Sequence, residues 1–420
     1  MRTSFLVRTF TVFIILFFCS TVSSRAYSVL THEAIIDECW DKSVKPLLKH
    51  KYPSASTEQL DSARAYSYGG AILQDLGYYP FSPKLFTDLA HYVRSGDFVI
   101  ALLDEASDLN EYAFALGALA HYTSDIYGHA LGINTAVPLA YPKVKAKFGN
   151  NVTFEQDHLS HLRMEFSFDV LQTARGNYAS KSYHDFIGFQ VAMPVLERAF
   201  LKTYGLELDD VFANLTLSIS TFRWTVRDLI PQATKYAWFI KKADILKANP
   251  DVTKKKFRYH MKRSSYYSEF GKNRMKPKIQ SWIISLIIRI MPKLGPLRSF
   301  RFHSPGELPE KLFLQSFDTV CVHYCAYVNK LNASKLHLEN KNFDTGKMIA
   351  PCEYTLTDEN YGKLLLKLKS DNFEHLNATV KKNILAFYRN PKAMSCAHPD
   401  EKEWKKILEA LEELKQTPDH

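Results

Sequence analysis

The sequence predicts an all-α protein, a multi-helix bundle with a helical C-terminal extension, and two observations carry that expectation. Apolar residues recur at three- and four-residue spacing along most of the chain, which lays one apolar stripe along a helix. No stretch alternates convincingly with period two, as a half-buried strand would. The 420 residues, 46% hydrophobic and 23% charged, suffice for one large core or two domains. The chain shows neither an internal repeat nor a glycine-rich phosphate loop.

The chain opens with "MRTSFLVRTFTVFIILFFCSTVSSRA", where Arg2 and Arg8 flank an apolar run that gives way to small polar residues. This reads as a secretory signal peptide over 1–26, too short to span a membrane. Ser24 and Ala26 hold the small-residue positions of a cut directly before Tyr27. Cys19 invites lipidation, but Phe17-Phe18 before it is a poor context. Residues 27–240 then read as helices joined by short loops: "HEAIIDECWDKSVKPLL", "TEQLDSARAYSYGGAI", "KLFTDLAHYVRSG", "FVIALLDEASDLNEYAFALGALAHYTSDIYGHA", "FEQDHLSHLRMEFSFDVLQ", "SYHDFIGFQVAMPVLERAFLKTYG" and "FANLTLSISTFRWTVRDLIPQATKYAWFIKKA".

Composition shifts at 241–303, where 17 Lys or Arg face only Asp244, Asp251 and Glu269. Within this zone "IQSWIISLIIRIM", 279–291, is strongly apolar yet too short to cross a bilayer. Lys276, Lys278, Lys293, Arg298 and Arg301 flank it. That pattern fits peripheral contact with an anionic membrane surface over 276–301, or a solvated basic linker around one buried helix. Residues 304–420 mix loops with helices, and the final helix "EKEWKKILEALEELKQ" is expected to pack on the domain by its Ile and Leu face. No chemistry is assigned to this part.

Past the cut five cysteines remain, too sparse for a disulfide scaffold. One or two bridges are expected among Cys321, Cys325, Cys352 and Cys396, with Cys39 left over. "CVHYC", with His323 inside it, is a weak metal motif; a disulfide or buried thiols are the expected state. Asn151, Asn214, Asn332 and Asn377 stand in N-x-S/T sequons, which matter only if the source glycosylates.

The chemistry concentrates in "GALAHYTSDIYGHA", 117–130. His121, Asp125 and His129 are spaced by four inside a run of Ala, Leu, Gly and Tyr. A helix turns about 100° per residue, so the three fall within a wedge of roughly 80° and can present two imidazoles and a carboxylate to one cavity. The competing reading is a set of core histidines hydrogen-bonded to backbone or to Asp125. Further donors lie on either side: His32 in "LTHEAII", Asp75 in "GGAILQDLGYYP", His91 in "FTDLAHY", and His161 with Glu165 in "HLSHLRMEF". His158, one turn earlier, competes with His161, but only His161 stands four before Glu165. Imidazole and carboxylate are the ligands zinc takes where thiolates are absent.

The segments "THEAI", "GGAILQD", "LAHY", "HYTSDIYGH" and "HLRME" closely resemble the zinc-dependent phospholipase C family. The likeness is greatest to the branch containing the catalytic domain of glycosylphosphatidylinositol-specific phospholipase D, and the fungal single-strand zinc nucleases share the fold more distantly. The resemblance covers 27–180, and 180–240 by continued helix. It implies a trinuclear zinc cleft among helices. Asp75, His91, His121 and Asp125 would bind one zinc, with Asp125 bridging to a close second. His32 and the backbone amine and carbonyl of Tyr27 would complete that second site. His129, His161 and Glu165 would bind a third, more separated ion. Relatives place Trp five residues before the His, where this chain has Tyr27, five before His32; since backbone atoms do the ligation, the change has no evident cost. The His121-x3-Asp125-x3-His129 spacing follows the phospholipase D-like branch and departs from the soluble bacterial enzymes.

The function the resemblance implies is a secreted or periplasmic zinc-dependent phosphodiesterase that cleaves the headgroup phosphodiester of a phospholipid by a zinc-activated hydroxide. Asp75 would orient the water or act as base. Three Zn²⁺, set against three carboxylates and one hydroxide, leave about two positive charges to meet an anionic phosphate. Tyr66, Tyr68, Tyr78, Tyr79 and Phe81 crowd near Asp75 and suggest either a cation–π box for a quaternary ammonium headgroup or plain core and rim. The alternatives are a zinc nuclease acting on single strands, superficially favoured by the basic zone, and a non-catalytic zinc-stabilised surface protein. The apolar insert fits a lipid interface better than a nucleic-acid groove, and the sequence points to no defined protein partner.

Overall fold

The longest apolar run becomes the buried centre of the molecule. The computed structural model describes residues 29–79, 81–175, 189–226, 305–390 and 400–418, with Lys242, Ala243 and Leu246. The signal segment, Tyr27, Cys19, Cys396 and almost all of the basic zone with its apolar insert lie outside them. In chain order the helices are α1 Val29–Cys39, α2 Lys45–Lys51, α3 Thr57–Leu73, α4 Lys84–Tyr92, α5 Ser95–Glu105, α6 Leu109–Gly128, α7 Asn134–Ala140, α8 Pro142–Phe148 and α9 His158–Arg175. They continue with α10 Met193–Tyr204, α11 Leu208–Val211, α12 Leu215–Trp224, α13 Glu307–Leu331, α14 Thr355–Ser370, α15 Ala378–Phe387 and α16 Glu401–Gln416. The fold is all-α; among the described residues the only extended pairing is an isolated bridge between Lys341 and Met348. No described helix is long and apolar enough to cross a membrane.

Every residue from Glu111 to Ile126 of α6 is buried, which is why this stretch is apolar on all sides. The run 98–130 divides into α5 and α6 because Asp108 caps the second, its carboxylate accepting from the amides of Asn110 and Glu111 at 2.8 Å. Helix α3 begins on a capping box between Ser56 and Gln59. It lies directly on α6 because glycines remove the intervening side chains. A Cβ on Gly70 would fall 1.9 Å from the Phe114 carbonyl oxygen, and one on Gly117 2.0 Å from that of Ser67.

Two turns widen to i→i+5 hydrogen bonding. One joins α1 to α2, with Lys45 N–H donating to Trp40 O. The other joins α6 to α7, with Asn134 N–H donating to His129 O. Such single wide turns recur at functional sites.

The C-terminal part shares the core of the family-like part. Val320, Tyr324 and Val328 of α13 and Ile407, Leu411 and Leu414 of α16 belong to the same apolar cluster as α3 and α6. The amphipathic face of α16 is buried as its sequence predicts. Cys39 at the end of α1 is bonded to Cys325 on α13, their Cα atoms 6.0 Å apart, a separation suited to a disulfide. This corrects the expectation that Cys39 stands alone: 286 residues of sequence separate two cysteines that adjacent helices bring together. Cys321 is half-buried and carries a free thiol, and Cys352 is exposed.

Between α13 and α14 a tight turn seats against α6. Asn342 Oδ1 accepts from the amides of Asp344 and Thr345, each at 3.0 Å, and Gly346 N–H donates to Asn342 O at 2.8 Å. Gly346 has φ +68°, and a Cβ there would sit 2.3 Å from Ile126 O, so both its conformation and its contact demand glycine.

Candidate metal centre

The donors reach one region from six places in the chain. Asp75 follows the end of α3, and the Gly70–Gly117 contact fixes that end against α6, which carries His121 and Asp125. His32 comes from α1, His91 from α4, His129 from the wide turn, and His161 and Glu165 from α9. All eight side chains are buried. Their donor atoms fall into three groups: His32, His121 and Asp125; Asp75, His91 and His121; and His129, His161 and Glu165, each group's atoms within 4.8 Å of one another. His121 and Asp125 therefore share a neighbourhood that His129, one turn further on, leaves for the third group.

The distances within the first two groups test whether a metal fits. Four donors held about 2.0–2.1 Å from a tetrahedral ion stand about 3.3–3.4 Å from each other. His91 Nε2 lies 3.3 Å from Asp75 Oδ1, 3.4 Å from Asp125 Oδ2 and 3.3 Å from His121 Nε2. His121 Nε2 lies 3.3 Å from Asp125 Oδ2. On the other side, His32 Nε2 is 3.7 Å from Asp125 Oδ1 and 4.0 Å from Asp75 Oδ2. The Asp125 carboxylate thus faces two neighbouring positions with its two oxygens.

The imidazoles are oriented by carbonyls on their far nitrogens. His91 Nδ1 donates to Thr87 O and His121 Nδ1 to Ala71 O, both at 2.8 Å, and His161 Nε2 donates to Val152 O at 2.6 Å. A carbonyl only accepts, so each of these nitrogens carries the proton and the opposite one keeps its lone pair for the shared space. Asp75 Oδ1, both oxygens of Asp125, Glu165 Oε1 and His161 Nδ1 are buried and make no hydrogen bond. Polar atoms so placed call for a partner, and a cation supplies one. The donor set fits zinc.

Electrostatics agree. Burial opposes charge on His91, yet the carboxylates of Asp125 and Asp75 raise it to about 9. Burial also works against the charge on Asp125, but His121 and the other imidazoles hold it well below the usual carboxylate range. Burial pushes Glu165 far up, with Asp75 and Asp125 adding repulsion, and lowers His161 to about 4. Carboxylates crowded this deeply away from water need positive charge among them.

Other sequence candidates disperse. His158 is exposed, with its ring edge-on to Phe154 at 4.2 Å, so it is His161 that joins Glu165. His323 stacks on Tyr127 at 4.1 Å rather than grouping with Cys321 and Cys325. The aromatics near Asp75 form no common box. Tyr68 accepts from Arg64 and donates to Asp37, Tyr79 packs on Phe222, Tyr78 meets the His91 ring at 6.2 Å, and Phe81 is exposed.

Two residues unnoticed in the sequence belong to the site. Asp169, one turn after Glu165, accepts from the amides of Leu30 and Thr31 at 3.0 and 3.1 Å and from the Thr31 hydroxyl at 2.7 Å. It thereby pins the start of α1 beside His32. Asp344, from the turn after α13, lies 3.5 Å by Oδ1 from His129 Nδ1. The only local signal for it is the turn chemistry of "NFDTG", which specifies a bend and no ligand.

Residues 31–214 match one family model, zinc dependent phospholipase C. No curated protein and no solved structure matches the chain.

Proposed function

Residues 31–214 are a zinc-dependent phospholipase C family domain, and from that premise we propose a secreted phosphodiesterase that holds three zinc ions and hydrolyses the headgroup phosphodiester of a phospholipid. The observation that carries this reading is that His91 Nε2 stands at the edge length of a tetrahedral ion from Asp75, Asp125 and His121, and His121 Nε2 from Asp125. These four hold the first zinc. Asp125 Oδ1 and His32 hold the second, together with the amine and carbonyl of Tyr27 once the signal segment is cut away. His129, His161 and Glu165 hold the third.

Zinc supplies Lewis acidity toward phosphoryl oxygens and a hydroxide at neutral pH. The protein's own residues do the rest. Asp75, set between the first two positions by the end of α3, orients the attacking water in line with phosphorus and takes its proton. Thr87, Ala71 and Val152 hold His91, His121 and His161 through their carbonyls, so the donors need no reorganisation as charge builds on the phosphate. Asp169 fixes the amides of residues 30 and 31, which holds the start of α1 and with it His32. The Cys39–Cys325 disulfide supports an oxidising compartment. The apolar, basic stretch 276–301 is the segment we assign to membrane contact.

The test is an assay of the purified mature protein on phosphatidylcholine vesicles and on single-stranded DNA, with and without a zinc chelator. Chelator-sensitive release of diacylglycerol and phosphorylated headgroup is expected. Inert vesicles beside cleaved DNA would overturn the lipid substrate, and inertness toward both at full zinc content would leave a non-catalytic role.

A further inference from the structure

Asp344 comes from the segment beyond the matched domain, yet its carboxylate is buried beside His129 of the third donor group. Its surroundings are fully specified. Oδ2 accepts from Phe154 N–H at 2.8 Å and from the Tyr354 hydroxyl at 2.7 Å. Its backbone carbonyl accepts from Asn134 Nδ2 at 2.8 Å. The turn carrying it is locked by Asn342 Oδ1 and by the close seat of Gly346 on Ile126. What remains is Oδ1, buried and without a hydrogen bond. It stands 3.5 Å from His129 Nδ1, longer than a charge-assisted hydrogen bond and close to the edge of a tetrahedral zinc shell. Among the described residues no lysine or arginine pairs with this carboxylate, so a buried negative charge lacks a permanent counter-charge.

We propose that Asp344 is the fourth protein donor to the zinc held by His129, His161 and Glu165, so that the C-terminal segment completes the metal centre. The inference rests on the metal-centre reading above. Its consequence is that the third ion would have as many protein donors as the other two and would fasten the turn at 340–349 to α6 and α9. A fourth carboxylate also lowers the excess charge of the trinuclear centre from about two to about one.

The test measures zinc per chain by elemental mass spectrometry in the full-length mature protein after dialysis against a mild chelator. Asp344→Asn keeps an amide oxygen for the Phe154 and Tyr354 bonds but loses the carboxylate, and it is expected to hold one zinc fewer than wild type. Tyr354→Phe removes a bond to Oδ2 alone and is expected to retain the wild-type count, which separates lost ligation from lost packing. A third variant, Asp344→Cys, is expected to show a thiolate-to-metal charge-transfer band when loaded with Co²⁺. Equal zinc in Asp344→Asn and wild type, or no such band in folded Asp344→Cys, overturns the inference alone. Wild-type protein without zinc overturns the metal-centre reading and this inference with it.

Discussion

Gly117→Ala puts the geometry of the site under direct strain without touching a ligand. The added methyl would fall 2.0 Å from Ser67 O and 2.8 Å from Ala71 N. Carbon–oxygen contacts below about 3 Å are repulsive, so α3 and α6 must part by about 1 Å to admit it. Zinc sites tolerate departures of about 0.2 Å in their distances. Since Asp75 follows α3 while His121 and Asp125 ride on α6, the required movement exceeds that tolerance several-fold and draws Asp75 away from His121, with which it shares a donor group. Overpacking of this kind costs about 3 kcal/mol or more, which lowers Tm by about 6–12 °C in a domain of this size. The assay pairs thermal melting with zinc content and sets the variant against Leu411→Ala. That change on α16 removes a comparable few kcal/mol of core packing far from the donors. Gly117→Ala is expected to lose both stability and zinc, and Leu411→Ala stability alone. A Gly117→Ala protein with wild-type zinc and wild-type Tm would refute the claim that the glycine contact sets the donor spacing.

Other outcomes follow from single residues. Asp125→Ala should abolish turnover and release two zinc ions, because its oxygens face both His91 and His32, whereas His158→Ala should change neither; equal, mild effects in an activity and zinc assay would sink the assignment. Burial pushes the Cys321 thiol up to about 12, so iodoacetamide at pH 8 should spare Cys321 in the folded protein and alkylate it once the chain is denatured, and a peptide map that finds it modified in the folded state would contradict this. Burial also raises Asp358 to about 6 from an ordinary 3.8, against which the Cys352 amide pulls it down. The folded state therefore binds the extra proton: that stabilisation is complete below about pH 3.8 and lost as pH climbs through about 6. Asp358→Asn should accordingly melt a few degrees above wild type at pH 7.5 and level with it near pH 4, and a lower Tm at pH 7.5 would contradict the sign.

The helices were legible because their signals are local: the 3.6-residue period, the Asp108 cap and the Ser56 box are written within a few residues of the elements they specify. The donors of "HYTSDIYGH" and "HLRME" were legible for a related reason, since i, i+4 spacing on a helix converts sequence into a shared face. Asp75 could be flagged only through its neighbours in the pattern, and the small residues before it proved to be the contact surface that positions it. Asp344 and the Cys39–Cys325 bond were not legible. Each joins segments more than 170 residues apart through packing of α13 and the following turn, and no period or spacing encodes a contact of that range. The same distance explains why the aromatics near Asp75 scatter: proximity in sequence to a turn says little about which way each ring leaves it.

The wide turn at His129–Ile133 has a bearing on how such a centre tolerates insertion and deletion. By spending one extra residue on a single revolution, it resets the angular phase of everything downstream relative to α6, and Asn134 then meets the Asp344 carbonyl. Removing one residue would return the segment to ordinary pitch and swing Asn134 by about 100°. The two halves of the chain are in this sense geared together, and the tooth is a single position.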